Sequence, residues 1–142
     1  MNKRNSLALV YLTYALLLSA CATEKLMEAP DTLPGEQLKA DYMVGNWCTN
    51  RELTAQTNKD AGHSALTNVS QQYWNLKQDG IWQVSVSGSF YEDHGQWRLK
   101  GLSTIVLERS QGKPRDYQAN FKDADLYLED DEGKFLILSE CK

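Results

Sequence analysis

The chain has 142 residues and a formal net charge of −4. That length holds one small domain and excludes two. The excess of acid argues against a nucleic-acid partner, whose phosphates call for a Lys/Arg surface.

The first 21 residues are organised for export. Lys3 and Arg4 form a basic head, residues 7–18 an apolar body, and Ser19 and Ala20 a pair of small residues before Cys21. This is the pattern of a secretory signal peptide. The apolar run is too short for a membrane-spanning helix, which needs ~20 residues. Leu18-Ser19-Ala20-Cys21 resembles the lipobox of bacterial lipoproteins. The resemblance implies that residues 1–20 are removed and that the Cys21 thiol receives a diacylglycerol. The new amino end would then be acylated, as with palmitate, anchoring the protein to a membrane. Ala22, where enterobacterial lipoproteins retained at the inner membrane tend to carry aspartate, points by the same resemblance to the outer membrane. The domain is then expected in the periplasm.

Without Lys3 and Arg4 the remaining chain carries a net charge of about −6. Residues 21–42 read as the lipidated cysteine and a tether. Residues 23–39 are polar, hold Pro30, Pro34 and Gly35, and have no sustained apolar period. A helical turn is expected near residues 37–42, with Leu38, Tyr42 and Met43 as its apolar side.

Residues 43–142 form the folded domain. Val44-Gly45-Asn46-Trp47-Cys48 opens it, and residues 49–53 are expected to continue that strand. Residues 54–68 are polar and lack strand alternation, which predicts a long loop with room for a short helix. From Ser70 the period becomes two. Trp74 and Leu76 share a face, Asp79-Gly80 marks a hairpin, and Trp82, Val84 and Val86 alternate on the return. Trp97 and Leu99 pattern a strand over residues 96–100, and Ile105 and Leu107 the next. Tyr117, Ala119 and Phe121 alternate, then Leu126 and Leu128. The acidic run at residues 129–133 is a turn. The final strand is apolar at Phe135, Leu136, Ile137 and Leu138, so periodicity leaves its inward face open. About eight short strands joined by tight turns predict a mainly β fold, a small up-and-down antiparallel barrel.

Cys48 opens this domain and Cys141 almost ends it. In an oxidising compartment the default is a disulfide between them, with two buried free thiols as the alternative. Barrel closure would make the first and last strands neighbours, as such a bridge requires. Cys141 shares parity with Phe135 and Ile137, so the bridge favours that face as buried.

Gly45-Asn46-Trp47, Trp74, Asp79-Gly80, Trp82 and Gly95-Gln96-Trp97-Arg98-Leu99 together resemble small bacterial lipocalin-like domains. Those domains open on a Gly-x-Trp strand and follow it with an aromatic Asp-Gly hairpin and a second Gly-x-Trp strand. The late arginine that lipocalins set against the first tryptophan has no counterpart on the last strand. The likeness implies a barrel in which Trp74, Trp82 and Trp97 line a site for a small apolar ligand. In so short a barrel, however, the same tryptophans are more simply core. A looser similarity to membrane-bound lysozyme inhibitors implies an alternative: an acidic domain that blocks a basic enzyme such as lysozyme.

No catalytic motif emerges. His63 and His94 are the only histidines, read as loop residues without metal-ligand spacing. Asp123, Asp125 and the 129–132 run lack the order of a calcium loop. Ser87-Gly88-Ser89 is a turn rather than a nucleophile elbow. No metal or cofactor is expected. The expected function is non-catalytic: a lipid-anchored barrel that binds a small apolar molecule or an envelope partner.

Overall fold

The computed structural model describes residues 29–64, 69–89 and 92–142. Its eight strands form one closed barrel in which each pairs antiparallel with its sequence neighbours and the last with the first. They are β1 (Gly45–Thr49), β2 (Gln72–Leu76), β3 (Ile81–Val86), β4 (Glu92–Lys100), β5 (Thr104–Arg109), β6 (Arg115–Lys122), β7 (Asp125–Glu129) and β8 (Phe135–Glu140). Helix α1 (Ala40–Met43) precedes β1, and α2 (Arg51–Asp60) joins β1 to β2. This is the up-and-down meander that the period-two patterning predicts.

The turn chemistry explains the hairpins. Gly80 adopts φ +83°, a left-handed conformation that side chains disfavour. The Ile81 amide donates to Asp79 Oδ1 at 3.1 Å and ties the turn shut. Gly95 has a different task. A Cβ there would collide with the Glu108 carbonyl, so glycine lets β4 and β5 approach closely. Trp82 lies across from Gly95 and donates through Nε1 to that same carbonyl at 3.1 Å.

Alternation places Trp47, Trp74, Leu76, Trp82, Val84, Trp97, Ile105, Leu107, Phe121, Leu126, Leu128 and Leu138 in one buried core. Burial of such side chains is worth ~1.5–3 kcal/mol each. One end of the barrel is plugged. Trp47 donates through Nε1 to the Met43 carbonyl at 2.9 Å and meets Phe121 with ring centroids 6.0 Å apart. Tyr42 approaches the same phenyl ring edge-on.

Part of the expected tether belongs to that plug. Residues 23–28, and Cys21 with the signal region, lie outside the described residues. Among the described residues no helix or strand precedes Ala40, yet the chain from Ala29 is laid against the barrel as a strap. The Thr32 amide donates to the Phe121 carbonyl at 2.8 Å, and Thr32 Oγ1 accepts from the Phe121 amide at 2.8 Å. Asp31 Oδ1 accepts from the Asp123 amide at 2.7 Å. Leu38 is buried and donates through its amide to the Leu102 carbonyl. The segment has too little apolar surface to order itself; backbone groups of the barrel turns supply what it lacks.

Three expectations change. β1 does not run on through residue 53: it ends at Thr49, because Asn50 caps a helix, its side chain accepting from the Leu53 amide at 3.1 Å. The polar stretch after it is therefore helical to Asp60, with Glu52 in the first turn and Lys59 in the last complementing the helix dipole. Thr54 and Asn58, one helical turn apart, are its buried residues. Finally, the inward face of β8 is Leu136 and Leu138, which join the barrel core. Ile137 is buried on the outside, beneath α2, and Cys48 and Cys141 bridge on the same outer face nearer the plugged end.

The α2 contact solves an edge problem. The register of β1 on β8 covers Thr49↔Leu138 through Trp47↔Glu140 and no further. Where β1 runs out, α2 side chains replace it. Thr54 Oγ1 accepts from the Ile137 amide at 3.0 Å. Asn58 Oδ1 accepts from the Phe135 amide, and its Nδ2 donates to the Phe135 carbonyl, both at 2.8 Å. Two polar side chains thus stand in for a strand.

Urea unfolding of three variants checks these contacts. Asn58→Ala strips the partners from both backbone groups of Phe135 and is expected to cost about 3 kcal/mol in urea unfolding. Asn75→Ala, whose exposed amide meets Asn46, should stay within about 0.5 kcal/mol. Replacing both Cys48 and Cys141 by alanine removes a bridge spanning 93 residues and is expected to cost ~2–5 kcal/mol in the same assay.

Candidate functional site

The barrel end away from the plug, where α2 and the β3–β4, β5–β6 and β7–β8 connections lie, is its mouth. A cavity of about 60 Å³ opens there, with Trp74 and Trp82 in its wall. Their rings stack at 5.9 Å between centroids. Trp74 donates through Nε1 to Gln72 Oε1 at 2.9 Å, so the Gln72 amide is oriented by the indole beside it.

Val84 and Leu107 extend the apolar side of the wall, and the remainder is charged and polar. Asp93 sits on the inward face of β4 and is 8% exposed. Its Oδ2 accepts from Arg109 Nε at 2.6 Å, and its Oδ1 from the His94 amide at 2.9 Å. A carboxylate so deep is stable only when both oxygens are engaged. Arg115, at the start of β6, and Tyr117 complete the lining. Arg115 lies opposite Leu107 in the β5–β6 register, which puts it on the inward parity with Arg109. Two guanidinia and one carboxylate therefore line this cavity, while Asp130, Asp131 and Glu132 lie on the β7–β8 connection at the same end.

Of the three tryptophans expected to line a site, the fold unites Trp74 and Trp82 and separates Trp97. The Trp97 indole donates to the Lys77 carbonyl at 2.9 Å, beside the β2–β3 turn at the plugged end. All four indole N–H groups are hydrogen-bonded, as packed tryptophans require. The bridge between Cys48 and Cys141 is formed, with Cα atoms 5.1 Å apart.

His94 is not in a loop. β4 begins at Glu92, four residues earlier than the Trp97/Leu99 pattern suggests, and His94 is an exposed residue of that strand. Starting the strand at Gln96 also hid Asp93, whose parity with Trp97 is the one signal that marks it as inward. His63 follows α2, and its Nε2 meets the Gly133 carbonyl at 2.7 Å. Among the described residues no group of three His, Cys, Asp or Glu is placed to hold a metal ion.

Two ionisable groups outside the cavity lining are displaced from their ordinary values. The Tyr127 hydroxyl is raised, first by burial and then by the charges of Asp125 and Asp123. Lys134 is raised by its hydrogen bond to Glu132 and by that carboxylate's charge. Near Lys134, Asp130 Oδ1 accepts from the Glu132 and Lys134 amides, both at 2.9 Å, and shapes the acidic turn.

A second, larger concavity of about 410 Å³ lies on the outer face of β1–β4, with Asn46, Tyr73, Asn75 and Gln83 among its lining residues. It is a solvated sheet face, whereas the mouth combines buried charge with stacked aromatic rings.

Comparison with protein-family models, curated proteins and solved structures finds no match for this chain.

The Asp93–Arg109 pair is expected to carry stability as well as shape. Asp93→Ala should lower the unfolding free energy by about 3 kcal/mol in urea titration. Arg98→Ala, which loses an exposed pair with Glu108 at 3.5 Å, should cost less than about 1 kcal/mol.

Proposed function

We propose that this is a lipid-anchored envelope lipoprotein whose barrel is a non-catalytic module that docks a protein partner at its mouth. The observation that carries the docking reading is the filled interior. Sites for drug-sized ligands take roughly 300–1,000 Å³, and the cavity between the core and the mouth is about 60 Å³. An acyl chain or other apolar molecule of that size class would have to displace Trp74 and Trp82, which are stacked and hydrogen-bonded. Between the two ligands that a lipocalin-like barrel suggests, this packing favours the partner. The charged and aromatic mouth supports the same choice, since aromatic residues and arginine anchor protein interfaces.

The anchoring half of the reading rests on Leu18-Ser19-Ala20-Cys21. Two or three acyl chains hold a domain to a bilayer firmly, where one gives marginal binding. Ala22 favours the outer membrane as the destination, with the barrel in the periplasm.

Three measurements test it in cells. Labelled palmitate is expected to mark the wild-type protein and not Cys21→Ser; an unlabelled wild type removes the anchor. A photo-reactive residue at Lys113, on the exposed β5–β6 connection beside the mouth, is expected to give a discrete cross-linked adduct. The same residue at Leu102, on the plugged end, is expected to give none. Native mass spectrometry of protein purified from its own envelope is expected to show the acylated chain mass alone. A stoichiometric apolar passenger there would overturn docking in favour of ligand carriage.

A further inference from the structure

We infer that the mouth cavity receives a single carboxylate group, presented by the docked partner as the free end of a peptide chain. The inference rests on the docking reading above and says what the mouth reads.

The size of the cavity comes first. About 60 Å³ holds a few water molecules or a group of carboxylate size, and nothing much larger. The charge comes second. Asp93 and Arg109 meet as a close ion pair and largely offset one another. Arg115, on the same inward parity but exposed at the rim, adds a further positive charge to the cavity wall. A guanidinium presents a planar fork of N–H donors that matches the two oxygens of a carboxylate.

Neutral donors come third. Gln72 spends its Oε1 on the Trp74 indole, which leaves its Nε2 as a donor at the cavity wall. Tyr117 lines the same wall, and its side chain carries a hydroxyl that can donate. The stacked rings of Trp74 and Trp82 give the pocket a flat apolar side, which lowers the local dielectric and strengthens each charge-assisted bond. Donors on several sides, a flat wall and a one-group volume describe a receptor for a planar anion on a stalk. Capture of a terminal carboxylate is a known mode of peptide recognition.

The test uses the full chain in detergent micelles and follows the four tryptophan indole N–H signals by NMR. The probe is acetyl-alanyl-alanine with a free carboxylate. Two controls accompany it: the same peptide with an amidated end, and inorganic phosphate. The expected result is a saturable shift of the Trp74 and Trp82 signals with Trp47 and Trp97 unmoved. The amide and phosphate should each bind roughly tenfold or more weaker, and Arg115→Gln should lose affinity for the carboxylate by a similar factor. Arg115 is exposed, so this variant should keep the wild-type melting temperature. Tyr117→Phe, which keeps the ring and removes only the hydroxyl, is expected to weaken the carboxylate peptide and leave the amide unchanged.

Equal binding of the amide overturns the inference. So does phosphate bound as tightly as the carboxylate, which would mean a site that senses charge alone. No shift up to the solubility limit of the peptide, or Arg115→Gln binding like wild type, overturns it too. If the carboxylate fails while cross-links at Lys113 persist, this inference falls and docking stands. If those cross-links are absent, docking itself falls.

Discussion

The seam between β1 and β8 is what makes this chain a barrel rather than a curled sheet. It is a short ladder, with three register pairs from Trp47↔Glu140 to Thr49↔Leu138. A sheet that fails to close leaves two rows of backbone groups unpaired. Here the seam is reinforced on both sides of its ladder. Toward the plugged end, the Cys141 amide donates to the Asn46 carbonyl and the Cys48–Cys141 bridge lies alongside. Toward the mouth, the Asn50 amide donates to the Ile137 carbonyl and α2 takes over the β8 edge through Thr54 and Asn58. Closure therefore depends on three different chemistries, placed where the backbone ladder is short.

Closure also decides where function has room. An eight-stranded barrel has an interior just wide enough for side chains to fill. Four tryptophans consume much of it, and their N–H groups are spent on Met43, Gln72, Glu108 and Lys77. The polar groups that cannot be buried unpaired collect at the mouth, where Asp93 pairs with Arg109 and solvent remains near. Packing at one end thus leaves chemistry at the other. The mouth is charged because the core is apolar.

How much of this was legible depends on how local the signal is. The hairpins were readable because Asp79-Gly80 and the alternation around it are contiguous; the same holds for Trp82, Val84 and Val86. The disulfide followed from closure and compartment rather than from any local pattern. The helix α2 was hidden because its partner is 77 residues away: Asn58 looks like any polar loop residue until Phe135 is beside it. Asp123 and Ala124 adopt positive φ without glycine, and that turn is held by Asp31, far upstream. β8 misled because all four of its apolar residues have somewhere to go, Leu136 and Leu138 inward, and Phe135 and Ile137 on the outer face beside α2. Parity alone could not separate a barrel core from a helix-covered outer face. The mouth was missed for a related reason: Asp93, Arg109 and Arg115 sit on three strands, and only the registers bring them to one level.

The strap gives the molecule a direction. Its hydrogen bonds to Phe121, Asp123 and Leu102 all fall on the β6–β7 and β4–β5 ends, which are the plugged end. The described chain therefore enters the barrel opposite the mouth. A lipid at Cys21, as proposed, would draw the plugged end toward the bilayer, since only seven residues separate Cys21 from Ala29 and an extended chain gains at most ~3.6 Å per residue. The mouth would then face away from the membrane that holds it. A partner approaching from the aqueous side would meet Arg115 and the stacked tryptophans first, without competing with lipid for the same surface. What the strap itself fixes is the point of entry: the hydrogen bonds of Asp31 and Thr32 to one turn, and the buried side chain of Leu38, hold the incoming chain at the plugged end.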